Sequence, residues 1–260
     1  MKRAIVRSLA KVARLARYEL VPRWRLDYWE RAEHLRQVFS RMDIQCVLDV
    51  GAHKGRYRDF LRLVVGYAGH IISFEPVAHL AADLKRASAK DDAWTVYPFA
   101  LGSTDAELAL NIMAASDLSS LLTPDTSAVP EFERFNRIVD RQPVSVKRLD
   151  SIMDMLRCEN PVRNIFLKTD TQGYDLEVAR GAERTLSEVL AVQSEMSLRP
   201  IYAGMPDWIT AVHFMQDRGF DITGMFPVSR DSQLRLVEFD CVMVNRTIKQ
   251  LTGPTESLPA

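Results

Sequence analysis

No stretch of this 260-residue sequence approaches the roughly 18 consecutive apolar residues that a spanning helix needs, so none is expected. Cysteine is scarce. Cys46, Cys158 and Cys241 show no C-x-x-C spacing, which removes the usual cysteine-based metal and redox motifs and fits buried thiols in a reducing, cytoplasmic compartment. The five histidines, His34, His53, His70, His79 and His213, lack metal-ligand spacing, so no metal is expected. The trio Asp150, Asp170 and Glu195 leaves a divalent ion as an open alternative. Charge excess of either sign is absent, the formal net charge being zero, and no nucleic-acid partner is expected for the chain as a whole. Repeats and low-complexity tracts are missing too. What remains is a chain 47% hydrophobic, able to bury one large core and short for two independent domains.

The neutral total hides an asymmetry. Residues 1–41 carry eleven Lys or Arg against four acids, with Ile5, Leu9, Val12, Ala16 and Leu20 at helical spacing. A charge arrives every few residues, unlike a secretory signal. The segment is expected to be a basic helical extension. It either packs on its own domain or a second subunit, lies as a peripheral helix on the inner face of an anionic membrane, or forms a nucleic-acid-attracting arm. Trp24, Tyr28 and Trp29 follow the apolar stripe, at a spacing that fits packing on a core or anchoring at an interface. Residues 42–248 are the expected main domain and 249–260 a flexible tail.

Residues 47–76, VLDVGAHKGRYRDFLRLVVGYAGHIISFEP, say most about function. They read as an apolar strand, a turn from Gly51 to Gly55, a helical segment, and a second strand ending on Glu75. A glycine turn between strand and helix brings backbone close to a ligand, and an acid about 20 residues on can hydrogen-bond both ribose hydroxyls. G-A-H-K-G is not G-x-G-x-x-G, however. His53 stands where a dinucleotide site places the glycine that admits a pyrophosphate. S-adenosylmethionine has no phosphate, so the departure favours it over NAD.

Further on, residues 78–89 read as a helix and 94–100 (WTVYPFA) as a third strand. Period-two segments at 107–113 and 143–149, around a serine-rich loop at 116–122, suggest a β-rich insertion over about 107–149. A central strand at 164–170 (NIFLKTD) leads through Thr171-Gln172-Gly173 into a helix expected from 174 to about 190. Strand five spans 190–195, a helix 206–218, and a hairpin 220–226 with 237–244.

In order, VLDVGAHKG, FEP, FALGS, SDLSSLL, VSVKRLDSI, IFLKTDTQGYDLEVARGAERTL, SEMS and EFDCVMVN resemble the FkbM family of S-adenosylmethionine-dependent methyltransferases, over roughly residues 44–246. The resemblance implies an α/β class I methyltransferase (Rossmann-like) fold: a mostly parallel seven-stranded sheet with helices on both faces and an antiparallel last strand. O-methyl transfer is the usual chemistry. Three positions depart from the pattern: His53 replaces Asn, Gln172 sits where Gln and Glu both occur, and Asp175 replaces a longer Glu.

The chemistry then assigns roles. Asp49 would meet the cofactor's ammonium, and the N–H groups of Gly51, Ala52, His53 and Gly55 its carboxylate. Glu75 would take the ribose, and Pro76, Ala100 and Leu101 would flank the adenine. A hydroxyl acceptor must lose a proton, so a base is expected near the methyl group. Asp170 is the first choice, at the sheet's carboxyl edge, with Glu195 and Lys168 as rivals. Ser119 and Ser120 are candidate acceptor contacts. The expected function is transfer of a methyl group to a hydroxyl of a sugar, glycolipid, polyketide or related metabolite, in a monomer or homo-oligomer. An NAD-dependent oxidoreductase and a catalytically silent S-adenosylmethionine-binding interaction module are the alternatives, the first lacking any Tyr-x-x-x-Lys or similar hydride-transfer set.

Overall fold

A computed structural model describes residues 26–248. The apolar stripe of residues 5–20, Trp24 and the tail at 249–260 lie outside them.

The chain winds around a seven-stranded sheet in the order β3-β2-β1-β7-β8-β10-β9. Its middle strands, β1 (Cys46–Val50) and β7 (Ile165–Thr169), are buried at every position and pair in parallel, as expected of near-continuous apolar runs covered on both faces. β2 (His70–Phe74) and β3 (Trp94–Tyr97) extend the sheet on one side, and β8 (Val189–Ser197) on the other. β10 (Leu236–Asn245) runs antiparallel between β8 and β9 (Phe220–Arg230), so the last strand in sequence is the antiparallel one. The strand order is that of a class I methyltransferase, with its reversal between β1 and β7. Such a reversal opens a crevice at the carboxyl ends of the strands.

Helices cover both faces. On one lie α1 (Leu26–Arg41) and α2 (Arg56–Phe60), the latter continued by a π turn at Leu61–Val65; Leu35, Val38, Phe39 and Leu61 pack there on Val47, Phe166 and Val242. The other face packs α4 (Leu149–Glu159), α5 (Asp175–Arg180) and α7 (Trp208–Gln216) on Leu48, Leu167 and Cys241. Helix α3 (Ala78–Ser88) follows β2.

A second sheet carries the expected insertion. β5 (Ala106–Met113) and β6 (Ile138–Lys147) form an antiparallel pair, and β4 (Ala100–Leu101) joins β6 in parallel. Ser120 ties this sheet to the main one: its backbone bridges Asn111, and its hydroxyl donates to the Gln172 carbonyl at 2.7 Å.

The structure corrects several expectations. The expected third strand, 94–100, divides after Tyr97, with Ala100–Leu101 passing to the second sheet. The expected helix 174–190 is two short ones, α5 and α6 (Glu183–Leu186), because Gly181 runs against the backbone of Gly102; a Cβ on Gly181 would lie 1.8 Å from the Gly102 oxygen. Cys46 and Cys241 are buried as expected, whereas Cys158 is exposed near the end of α4. Tyr28 is 48% exposed, with its ring 6.3 Å from that of Phe60 and Arg31 above it.

Candidate active site

At the carboxyl ends of β1, β2, β7 and β8 lies a cavity of about 360 Å³, within the range of small-molecule sites. Its lining holds most of the residues marked out by sequence: Gly51, Ala52, His53, Glu75, Pro76, Ala100, Leu101, Ser119, Lys168, Asp170 and Glu195. Asp49, Gly55 and Ser120 are not part of it.

The first turn is tightly self-bonded. The N–H groups of Gly51 and Ala52 both donate to the Phe74 carbonyl at 3.1 Å, that of Gly55 to Ala52, and that of His53 to Glu75 Oε2 at 2.7 Å. The N–H groups expected to face a ligand carboxylate thus close the turn on itself and on β2. Gly51, at φ +80°, is required by packing: a Cβ there would stand 2.0 Å from the Asp170 carbonyl. His53 itself adopts a left-handed φ of 49°, and its Nε2 lies 2.9 Å from Ser116 Oγ, linking the turn to the serine-rich loop.

Glu75 takes a second N–H from Val77 at 2.8 Å and is 4% exposed. Burial outweighs these two donors and pushes its carboxyl up to about 7. Asp49 departs from the expected role. It is fully buried beneath the cavity, where Oδ2 accepts from Ser73 Oγ, which in turn accepts from Trp94 Nε1. Its Oδ1 lies 3.2 Å from Lys168 Nζ, an ion pair without hydrogen-bond geometry. Asp49 and Lys168 are register partners across β1 and β7, so this pairing follows from the sheet.

Lys168 also reaches Asp170 at 3.4 Å and sits 5.1 Å over the Tyr57 ring. Burial alone would lower its pKa, but the carboxylates of Asp170 and Asp49 reverse this and raise it, so it stays charged. Burial likewise pushes Asp170 up, yet Lys168 and the Gln172 amide bring it below the ordinary carboxylate value. Glu195 goes the other way, raised well above its ordinary value by burial and by Asp170, Glu238 and Asp175. The two acids are therefore pushed in opposite directions, Asp170 towards the ionised form and Glu195 towards the protonated one. Gln172 Nε2 donates to both, at 3.0 Å to Asp170 and 2.7 Å to Glu195. The Tyr202 hydroxyl donates to Leu118 O at 2.7 Å and stands 2.9 Å from Gln172 Oε1.

Arg56, Tyr57, Tyr202 and Glu238 had no role in the sequence reading. Arg56 and Tyr57 open the helix after the glycine turn, which is a signal that could have found them. Tyr202 lies outside the matching segments, whereas Glu238 opens EFDCVMVN, a segment to which no chemistry was assigned. Asp150 is not near Asp170 and Glu195: its carboxylate accepts from the N–H groups of Arg184 and Thr185. Among the described residues no group of three or more His, Cys, Asp or Glu is placed to hold a metal, and no helix is long and apolar enough to cross a membrane.

The sequence pattern described as the methyltransferase FkbM domain matches residues 49–222. No curated protein matches the chain. Among solved structures, methyltransferase FkbM from Methylobacillus flagellatus KT is 18% identical with a TM-score of 0.48, over 78% of this chain and 44% of that one. This chain thus spans less than half of that protein's length. Aeropyrum pernix fibrillarin with natively bound S-adenosyl-L-methionine is 11% identical with a TM-score of 0.43, over 77% of this chain and 66% of that one. Magnesium protoporphyrin IX methyltransferase from Synechocystis PCC 6803, with bound S-adenosylmethionine, is 8% identical with a TM-score of 0.43, over 85% and 81%. Likenesses this distant leave the fold assignment to the strand order itself.

Proposed function

Because the chain belongs to the FkbM methyltransferase family, we propose that it transfers a methyl group from S-adenosylmethionine to a hydroxyl of a sugar, glycolipid, polyketide or related metabolite. One observation carries this reading: a single cavity joins the glycine turn and Glu75 to Lys168, Asp170 and Glu195. The lining suits such a cofactor. Carboxyls outnumber cations, and the buried Thr171 hydroxyl has no hydrogen-bond partner among the described residues.

When bound, S-adenosylmethionine supplies an electrophilic methyl group on a sulfonium. Glu75 is the residue to accept from the ribose hydroxyls, its burial having removed competing water. Pro76, Ala100 and Leu101 offer the apolar walls for the adenine, and Gly51, Ala52 and His53 the floor of the methionine end. Arg56, whose only ion pair among the described residues is a 3.5 Å surface contact with Asp117, is the cation to meet the carboxylate. Asp49 acts from beneath by fixing Lys168.

Asp170 is the base. Lys168 keeps it ionised and Gln172 fixes its rotamer, so the carboxylate would be ready to take the acceptor's proton as the methyl group passes from sulfur to oxygen and the thioether product leaves. Glu195, retaining its own proton, is placed to orient the acceptor oxygen. Ser119 lines the acceptor end, while Ser120, buried and bonded to Gln172, supports the site from behind.

Calorimetry with S-adenosylhomocysteine and NAD, followed by transfer of a labelled methyl group to a panel of hydroxylated metabolites, tests the proposal. Binding of the first ligand, none of NAD, and label on oxygen are expected. Affinity for NAD alone overturns it.

A further inference from the structure

Glu238 is a buried acid that the chemistry above does not use. It lies on β10 opposite Ser197 of β8 and diagonal to Glu195, whose direct partner is Asp240. Diagonal neighbours stand about 7–8 Å apart on one face of the sheet, and both Glu195 and Glu238 line the cavity. Glu238 is 5% exposed. Its Oε2 accepts from Ser229 Oγ at 2.6 Å, while Oε1 accepts no hydrogen bond from the described residues.

The surroundings give the fold no reason to hold this carboxyl. The charged groups that act on it are Asp170 and Asp175, both of like sign, whereas Arg31 and Lys168, two cations on this face of the sheet, are paired with Asp240 and with Asp49 and Asp170 respectively. A carboxyl 5% exposed, with like-charged neighbours and one oxygen open only to the cavity, is costly to hold unless something completes its hydrogen bonding. The open side of Glu238 is the cavity, where Val228 adds an apolar patch.

We propose that Glu238 is a specificity-determining residue of the acceptor subsite, accepting a hydrogen bond from a second hydroxyl vicinal to the one that is methylated. The acceptor is then a polyol carrying neighbouring hydroxyls on a ring whose apolar face meets Val228. One hydroxyl lies at Asp170 and Glu195, and the next is held by Glu238. This rests on the methyltransferase reading.

The test compares paired probes: methyl hexosides and inositols against their monodeoxy counterparts, with labelled S-adenosylmethionine as donor. A site built to bond a hydroxyl rejects the analogue that lacks it, so wild-type protein should favour at least one intact polyol over its deoxy partner by about tenfold or more in kcat/KM. Glu238→Leu should bring that ratio to near unity while S-adenosylhomocysteine affinity, measured by calorimetry, is kept. Glu238→Gln, which keeps an accepting oxygen and the shape, should recover most of the preference and covers the case in which the leucine variant does not fold. Retained preference in Glu238→Leu overturns the assignment. So does the absence of any polyol preference in wild-type protein that binds S-adenosylhomocysteine. Failure to bind S-adenosylhomocysteine would instead refute the methyltransferase reading itself.

Discussion

The Gln172 amide donates to the Glu195 carboxyl at 2.7 Å, and the same nitrogen reaches Asp170 at 3.0 Å. Two acids that repel when both are ionised are thereby held in one array with a neutral donor between them. The arrangement depends on an unusual backbone, since Gln172 has a φ of 56° and is followed by Gly173 at 86°. Replacing Gln172 with Ala should leave the two carboxyls free to separate. Turnover is expected to fall about tenfold or more, less than the roughly 10²–10⁴-fold that a positioned acid–base group itself contributes, because Gln172 only positions the two acids. S-adenosylhomocysteine affinity should change by no more than a few-fold, and steady-state kinetics beside calorimetry would separate the two.

Asp170→Asn preserves shape while removing basicity and the negative charge facing Lys168. A loss of about 10²-fold or more in kcat is expected, the scale of general base catalysis, with a much smaller change in cofactor affinity. If affinity fell as far as turnover, Asp170 would be a cofactor-holding residue and the base would have to be sought elsewhere.

Glu75→Ala removes the acid assigned to the ribose. S-adenosylhomocysteine binding should weaken by roughly 1.5–3 kcal/mol, the usual contribution of a hydrogen bond to a charged group. An affinity within twofold of wild type would move the ribose away from Glu75.

The same residue makes a prediction about pH. A carboxyl raised to about 7 in the folded chain, from an ordinary 4.5, binds more protons folded than unfolded across that interval. Stability must therefore fall as pH rises through it. The Glu75 contribution is fully present below about 4.5 and lost by about 7, at most on the order of 3 kcal/mol. Glu238, raised to about 7, and Asp175, raised to about 6, act in the same direction. Thermal denaturation of ligand-free protein from pH 5 to 8 should show Tm declining, with a shallower decline in Glu75→Gln. Identical slopes in the two proteins would refute this.

Gly181→Ala should destabilise the fold by several kcal/mol, beyond the roughly 1–3 kcal/mol of ordinary overpacking. The clash is with backbone, the oxygen of Gly102, and backbone cannot rotate away as a side chain can. Chemical denaturation would measure it, and a loss under about 1 kcal/mol would show that the Gly102 loop yields easily.

What sequence revealed and what it hid divide along chain distance. The places of Glu75 and Asp170 on the cavity could be read because each follows an apolar strand and precedes a turn, all within a few residues. Asp49 looked equally available. Its true partner, Lys168, lies 119 positions away in sequence and becomes adjacent only through the β1–β7 register. The divided helix at Gly181 escaped notice for the same reason, since the obstacle is Gly102 and not a local breaker. Glu238 was hidden differently: an acid within an apolar strand gives no sign of whether it faces solvent or a cavity.

The link from Ser120 to Gln172 bears on how such a protein could be re-engineered. Acceptor-facing loops are the natural parts to exchange between relatives, but here the loop after β5 also buttresses the backbone that carries the bridging glutamine, and Tyr202 ties Leu118 to the same side chain. A transplanted loop would have to bring its own hydroxyl and tyrosine contacts, or turnover would be lost before selectivity could change. The loop and the turn that carries Gln172 would have to be exchanged together.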